Sequence, residues 1–241
     1  MNFSNAYQIK ISALKECINI LNIDIDEIFS SYEDIFFKES NINKKALFKN
    51  IIVGKTFSDN EQKFMQSKCG NLTRFKDKRT GIEYATDLIL GWISEDAILH
   101  YFKTKKVNIS KFGSDSDREF LDSKSISAQS DLILSKSNNE KMYKVEYMND
   151  WTGFWKKSNK LHLRENKYLK IKKENAIFLG VSPLHREGIA FHTSDKNATW
   201  KYIPSHYPYG GKPAWELSNV KDFLTPLNVA LDKIILLISA I

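Results

Sequence analysis

Residues Ala176 to Ser182, AIFLGVS, form a run without a single charge, directly behind a strongly basic segment. A run of this length and character reads as a strand buried on both faces, which belongs inside a sheet covered on each side. Three shorter β-like runs precede it: Val107 to Phe112, Ser130 to Lys136 (SDLILSK) and Lys141 to Met148 (KMYKVEYM). Ahead of them, Thr80 to about Phe102 places Ile82, Ala85, Leu88, Ile89, Trp92, Ile93 and Ile98 on one side of a helix. The basic stretch from Leu161 to about Glu174 also reads as helix. The order over 80–182 is then helix, strand, strand, strand, helix, strand, an α/β (α+β) mixed sheet.

The flanks read differently. Residues 4–66 read as helices, one covering Asp26 to Phe37 and another Asn43 to Ile52. Ser58 with Glu61 is expected to cap a further one as a capping box. Residues 183–241 begin with turns and short strands, Gly188 to Thr193 and Thr199 to Ile203. They crowd His206, Tyr207, Tyr209, Lys212 and Trp215 around Gly210-Gly211, and close with a helix from about Val220, interrupted near Pro226. One domain over 1–241 is expected, with a helical part at 1–79, a core at 80–182 and a recognition or dimerisation part at 183–241.

A chain of 241 residues with 42% hydrophobic residues can bury a core without staples, which excludes wholesale disorder. Cys17 and Cys69 make neither a disulfide framework nor a CxxC metal site, so a cytoplasmic location is expected. The start, MNFSNAYQIK, has no signal-like pattern, and the apolar run Ile234 to Ile238 is too short to span a membrane. No P-loop, GxGxxG, GxSxG or HExxH pattern occurs, so ATP use, Rossmann cofactors and common esterase chemistry lose support. The formal charge of +7 makes a polyanionic partner plausible.

Asn138-Asn139 suits a two-residue hairpin turn, because Asn tolerates positive φ. Centred there, paired residues have numbers summing to 277, which sets Asp131 opposite Glu146 on one face. Facing carboxylates repel unless a positive group such as a divalent cation lies between them. The plainer alternative makes Asp131 a turn cap and Glu146 a solvated strand residue.

This arrangement resembles the PD-(D/E)xK nuclease superfamily over roughly 80–182, with the motif reading Ser130-Asp131 … Glu146-Tyr147-Met148. The resemblance implies a restriction-endonuclease-like core that hydrolyses phosphodiester bonds with Mg²⁺. It also implies Asp131, Glu146 and the Tyr147 carbonyl as metal ligands, and Glu83 of the first helix as an added acid. Two positions depart from the motif. Ser130 stands where Pro is usual, and Met148 stands where the catalytic Lys belongs. Lys157 or Lys160 is expected to replace that Lys.

Lys156, Lys157, Lys160, Arg164, Lys167, Lys170, Lys172 and Lys173 make a basic run opposed within it only by Glu165. Coming right after the acids, it favours phosphate contact, with Lys156, Arg164 and Lys167 as DNA-binding residues and Arg118 as a further one. Asp115 and Asp117 are alternative first-metal ligands, or simply loop and cap residues. The function expected is a homodimeric type II restriction endonuclease acting on double-stranded DNA. The alternatives are a structure-specific repair or junction nuclease, or a catalytically inactive DNA-binding module of the same fold.

Overall fold

The computed structural model describes residues 4–71, 78–113, 116–121, 130–136 and 141–239. The fold is mixed α/β and divides into two compact units, Met1–Tyr101 with Asp115–Ile126, and Phe102–Ser114 with Ser127–Ile241. The division falls near the end of the long helix, at Tyr101.

The first unit is helical: α1 (Asn5–Ile20), α2 (Ile25–Ser30), α3 (Lys44–Ile52), α4 (Asp59–Cys69) and most of α5 (Gly81–Thr104). Side-chain caps start three of them. Asp24 accepts from the Asp26 N–H, Asn43 from the Ala46 N–H, and Ser58 with Glu61 forms the expected capping box of α4. The expected helix from Asp26 to Phe37 stops at Ser30, and Phe36 instead bridges to Asn43. Phe48 gathers Phe29, Tyr32, Phe37 and Trp92 around it in edge-on and tilted contacts, an aromatic core for this unit.

The second unit holds two sheets. The larger has six strands in the order β1 (Val107–Lys111), β2 (Leu132–Lys136), β3 (Met142–Asn149), β5 (Ile177–Ser182), β6 (Glu187–His192), β9 (Thr225–Pro226). Neighbours are antiparallel except β3 and β5, which run parallel. A parallel pair needs a crossover, supplied here by α6 (Phe154–Ser158), β4 (Leu161–Arg164) and α7 (Glu165–Lys173). β5 is buried at every position, as its composition requires of an interior strand. α8 (Leu227–Ser239) lays Leu227, Ala230, Leu231, Ile234 and Ile238 into the core.

The smaller sheet runs β4, β8 (Lys212–Leu217), β7 (Trp200–His206). It corrects two expectations: LHLR (161–164) is a strand and not the start of the basic helix, and the aromatic-basic stretch contains a full strand, β8. Leu161 and Leu163 alternate inward against Tyr168, Phe178, Phe191 and Leu217, and that burial overrides the helical reading of so short a segment. The break near Pro226 is a short strand that ends where α8 begins.

Candidate active site

The hairpin register is the one the sequence implies. Leu132 pairs with Val145, Ile133 with Lys144 and Leu134 with Tyr143, all summing to 277. The turn Asn138-Asn139 lies outside the described residues. Asp131 stands one residue before the first pair, where the ladder ends. Its N–H donates to the Val145 carbonyl at 3.0 Å, and its Oδ2 accepts the Tyr147 N–H at 2.8 Å. β3 thus runs past the end of β2, and the Asp131 side chain meets backbone that no neighbouring strand pairs on that edge. Alternation along the strand turns the Tyr147 carbonyl to the same edge as its N–H.

A cation that the motif does not supply arrives from α7. Lys167 Nζ lies 2.8 Å from Glu146 Oε2 and 3.7 Å from Asp131 Oδ1, so both acids converge on one ammonium. Seven residues on, at the helix end, Glu174 accepts from Lys144 Nζ at 2.7 Å and from Ser130 Oγ at 3.2 Å. Residues seven apart share a helix face, as residues two apart share a strand face. β3 therefore offers Lys144 and Glu146, and α7 answers with Glu174 and Lys167 in reverse order. These crossed pairs are what a helix antiparallel to its strand requires.

Glu146 is 4% exposed. Burial, and then the Asp131 carboxylate, push its carboxyl up to about 8 against the opposing pull of Lys167. No donor is aligned on its buried Oε2, although Lys167 is near enough for an ion pair. Glu174 goes the other way: burial pushes it up, but Lys144 and Ser130 outweigh this and hold it below the usual carboxylate range.

A raised acid costs stability as it ionises. The folded protein holds the Glu146 proton in the window between the ordinary 4.5 and about 8, where the unfolded chain has lost it. The Glu146 contribution is therefore fully present below the lower value, falls across the window and is gone above the upper one. Metal-free protein is expected to lose thermal stability between these pH values, and Glu146→Gln to lose less of it. Parallel melting profiles of the two proteins would contradict the assignment.

Lys160 pairs with Glu216 at 3.0 Å and Lys156 with Glu187 at 2.7 Å, while Lys157 is exposed on α6. Met148, in the motif's Lys position, packs against the cluster that contains Trp155 and Phe178. Glu83 belongs to the first unit, where its carboxylate accepts the Thr80 N–H at 2.8 Å and Thr80 Oγ1 accepts the Glu83 N–H, a capping box for α5. Arg118 is fully buried, with Nη2 at 2.5 Å from Glu95 and 2.7 Å from Asp96, so it presents nothing to a phosphate. The Asp117 carbonyl accepts from Lys44 Nζ at 2.7 Å in that same unit, and Asp115 lies outside the described residues.

Asp150 gave no sequence reading but shapes the exit of β3. Its Oδ1 accepts from Thr152 Oγ1 and from the N–H groups of Thr152 and Phe154, and its Oδ2 from the Trp155 N–H. The signal was the Asp-x-Thr spacing of an Asx turn.

Among the described residues no group of three or more His, Cys, Asp or Glu side chains is placed to hold a metal ion, and no helix is long and apolar enough to cross a membrane. Comparison with protein-family models, with curated proteins and with solved structures finds no match to this chain.

Proposed function

We propose that the chain is a Mg²⁺-dependent endonuclease of restriction type, hydrolysing phosphodiester bonds in double-stranded DNA. The observation that carries this is the convergence of Asp131, Glu146 and Lys167 at the edge where β3 outruns β2. The order α5, β1, β2, β3, α7, β5, with β3 and β5 parallel, supports a restriction-endonuclease-like core.

The donor set fits Mg²⁺. That ion prefers hard oxygen ligands, keeps several waters and is commonly held by one or two carboxylates rather than a full protein cage. Asp131 and Glu146 would hold it, with the Tyr147 carbonyl on the adjoining edge. When bound, the metal supplies Lewis-acid stabilisation of the phosphoryl oxygens and lowers the pKa of a coordinated water.

The chain's own residues supply the rest. Asp131 is fixed by the Tyr147 N–H, and Glu146 by a strand paired to β5. Lys167 takes the place that Met148 vacates. Its ammonium orients the attacking water and offsets charge building on the phosphate.

The test is incubation of the protein with long duplex DNA in Mg²⁺, with EDTA as control. Discrete fragments that vanish with EDTA support the reading. Intact DNA in both Mg²⁺ and Mn²⁺ overturns it and favours a binding module without catalysis. A continuous smear or nicking confined to branched DNA would move the reading to a repair or junction nuclease.

A further inference from the structure

The two faces of the smaller sheet differ in kind. Leu161 and Leu163 on β4, Trp215 and Leu217 on β8, and Trp200 on β7 form one face and pack into or against the core. The opposite face carries His162 and Arg164, then Lys212, Ala214 and Glu216, then Lys201 and Ile203, with His162, Glu216 and Lys201 in one cross-strand row. A register slip between Ile203 and His206 swings His206 onto this second face, where its ring lies 4.3 Å from that of His162.

The centre of this second face is closed. Tyr209 donates its hydroxyl to the His162 carbonyl at 2.8 Å and lies under the Arg164 guanidinium, and Phe154 packs beside His162. Glu216 is spent there. Burial pushes its carboxyl up, but His162 and Lys160, each 3.0 Å from Oε2, outweigh this and hold it below the usual range. The rim is open, with Lys160, Arg164, Lys201 and Lys212 all exposed and Tyr207 76% exposed at the tip between β7 and β8. Four exposed cations thus border this face, whose carboxylate Glu216 is already met by Lys160 and His162. Arg164 ends β4 and stands immediately before α7, the helix that carries Lys167.

Resting on the nuclease reading, we propose that this rim is a second contact surface for duplex DNA. Its cations hold backbone phosphates away from the scissile bond, and the β7–β8 ribbon brings Tyr207 to a groove. A two-stranded ribbon fits the major groove of B-form DNA, and clustered cations opposed by little acid are what a phosphate backbone selects.

The test measures affinity for a short random-sequence duplex in Ca²⁺ over a range of salt. Lys201→Ala/Lys212→Ala removes two exposed ammonium groups without touching the core. It is expected to weaken binding and to lower the slope of log affinity against log salt by about 0.9 for each phosphate that is no longer neutralised. Tyr207→Ala is expected to weaken binding with the slope unchanged. Wild-type affinity and slope in the double variant, while wild-type protein still cuts DNA in Mg²⁺, would overturn this surface and leave the nuclease standing. Wild-type protein that binds this duplex with the expected variant effects but never cuts would overturn the nuclease and leave the surface standing. Wild-type protein that neither binds nor cuts would overturn both.

Discussion

Lys167→Met is expected to reduce DNA cleavage in Mg²⁺ by roughly 10²- to 10³-fold, the usual cost of deleting one preorganised charge-stabilising donor. Duplex binding should stay within a few-fold, because many other cations remain on the surface. The variant should fold: Lys167 is only partly buried, and without its ammonium Glu146, already pushed up by burial and by Asp131, keeps its proton more firmly and so avoids a buried unpaired charge. Lys157→Met and Lys160→Met are the controls, since the first residue is exposed on α6 and the second is engaged with Glu216. Single-turnover cleavage by the three variants decides the assignment. Full activity in Lys167→Met, with loss in either control, would return the catalytic role to the loop before β4.

Arg118→Met has the largest expected effect on stability. Arg118 is completely buried and sits at φ 55°. One of its nitrogens serves both Glu95 and Asp96, while Tyr32 donates to the far oxygen of Asp96. Removing the guanidinium takes the Arg118 charge away from two buried carboxylates, and breaking a buried pair in this way typically costs about 3–5 kcal/mol. A melting experiment on the full chain should show the helical unit unfolding at clearly lower temperature. Adding Glu95→Gln and Asp96→Asn to Arg118→Met should recover much of the loss, because the stranded charges are then gone. An unchanged melting curve in the single variant would show that the network contributes nothing net.

The two charge clusters explain which parts of the site were legible. The register of β2 against β3 followed from alternation and a plausible Asn-Asn turn, and those cues are local. The pairing of Leu132 with Val145 agrees with them to the residue. Lys167 was read in the sequence as a DNA-binding member of a run of eight basic residues, not as a partner of the two acids. What singles it out is its spacing of seven from Glu174, set against the spacing of two between Lys144 and Glu146. That complementarity has meaning only once a helix lies antiparallel along β3, and a crossover brings it there. A charge run therefore conceals the member that meets the acids when all its residues look equally solvated.

The misplaced residues follow from burial, which sequence reports poorly for polar groups. Arg118 follows a Gly-Ser-Asp stretch that reads as solvated loop, yet it closes the acidic pair on α5. Glu83 is an acid at the start of a helix, and there it forms a capping box with Thr80. LHLR sits inside a basic stretch with helical propensity, and only partnering with β8 makes it a strand.

The most direct measurement compares wild-type protein with Glu146→Gln on one long duplex in Mg²⁺, after melting has shown both to be folded. Glu146→Gln keeps the shape of the side chain and removes the charge that would hold the metal. The account expects discrete fragments from the wild type and intact DNA from the variant. Equal cutting by both proteins, or by neither, would contradict it.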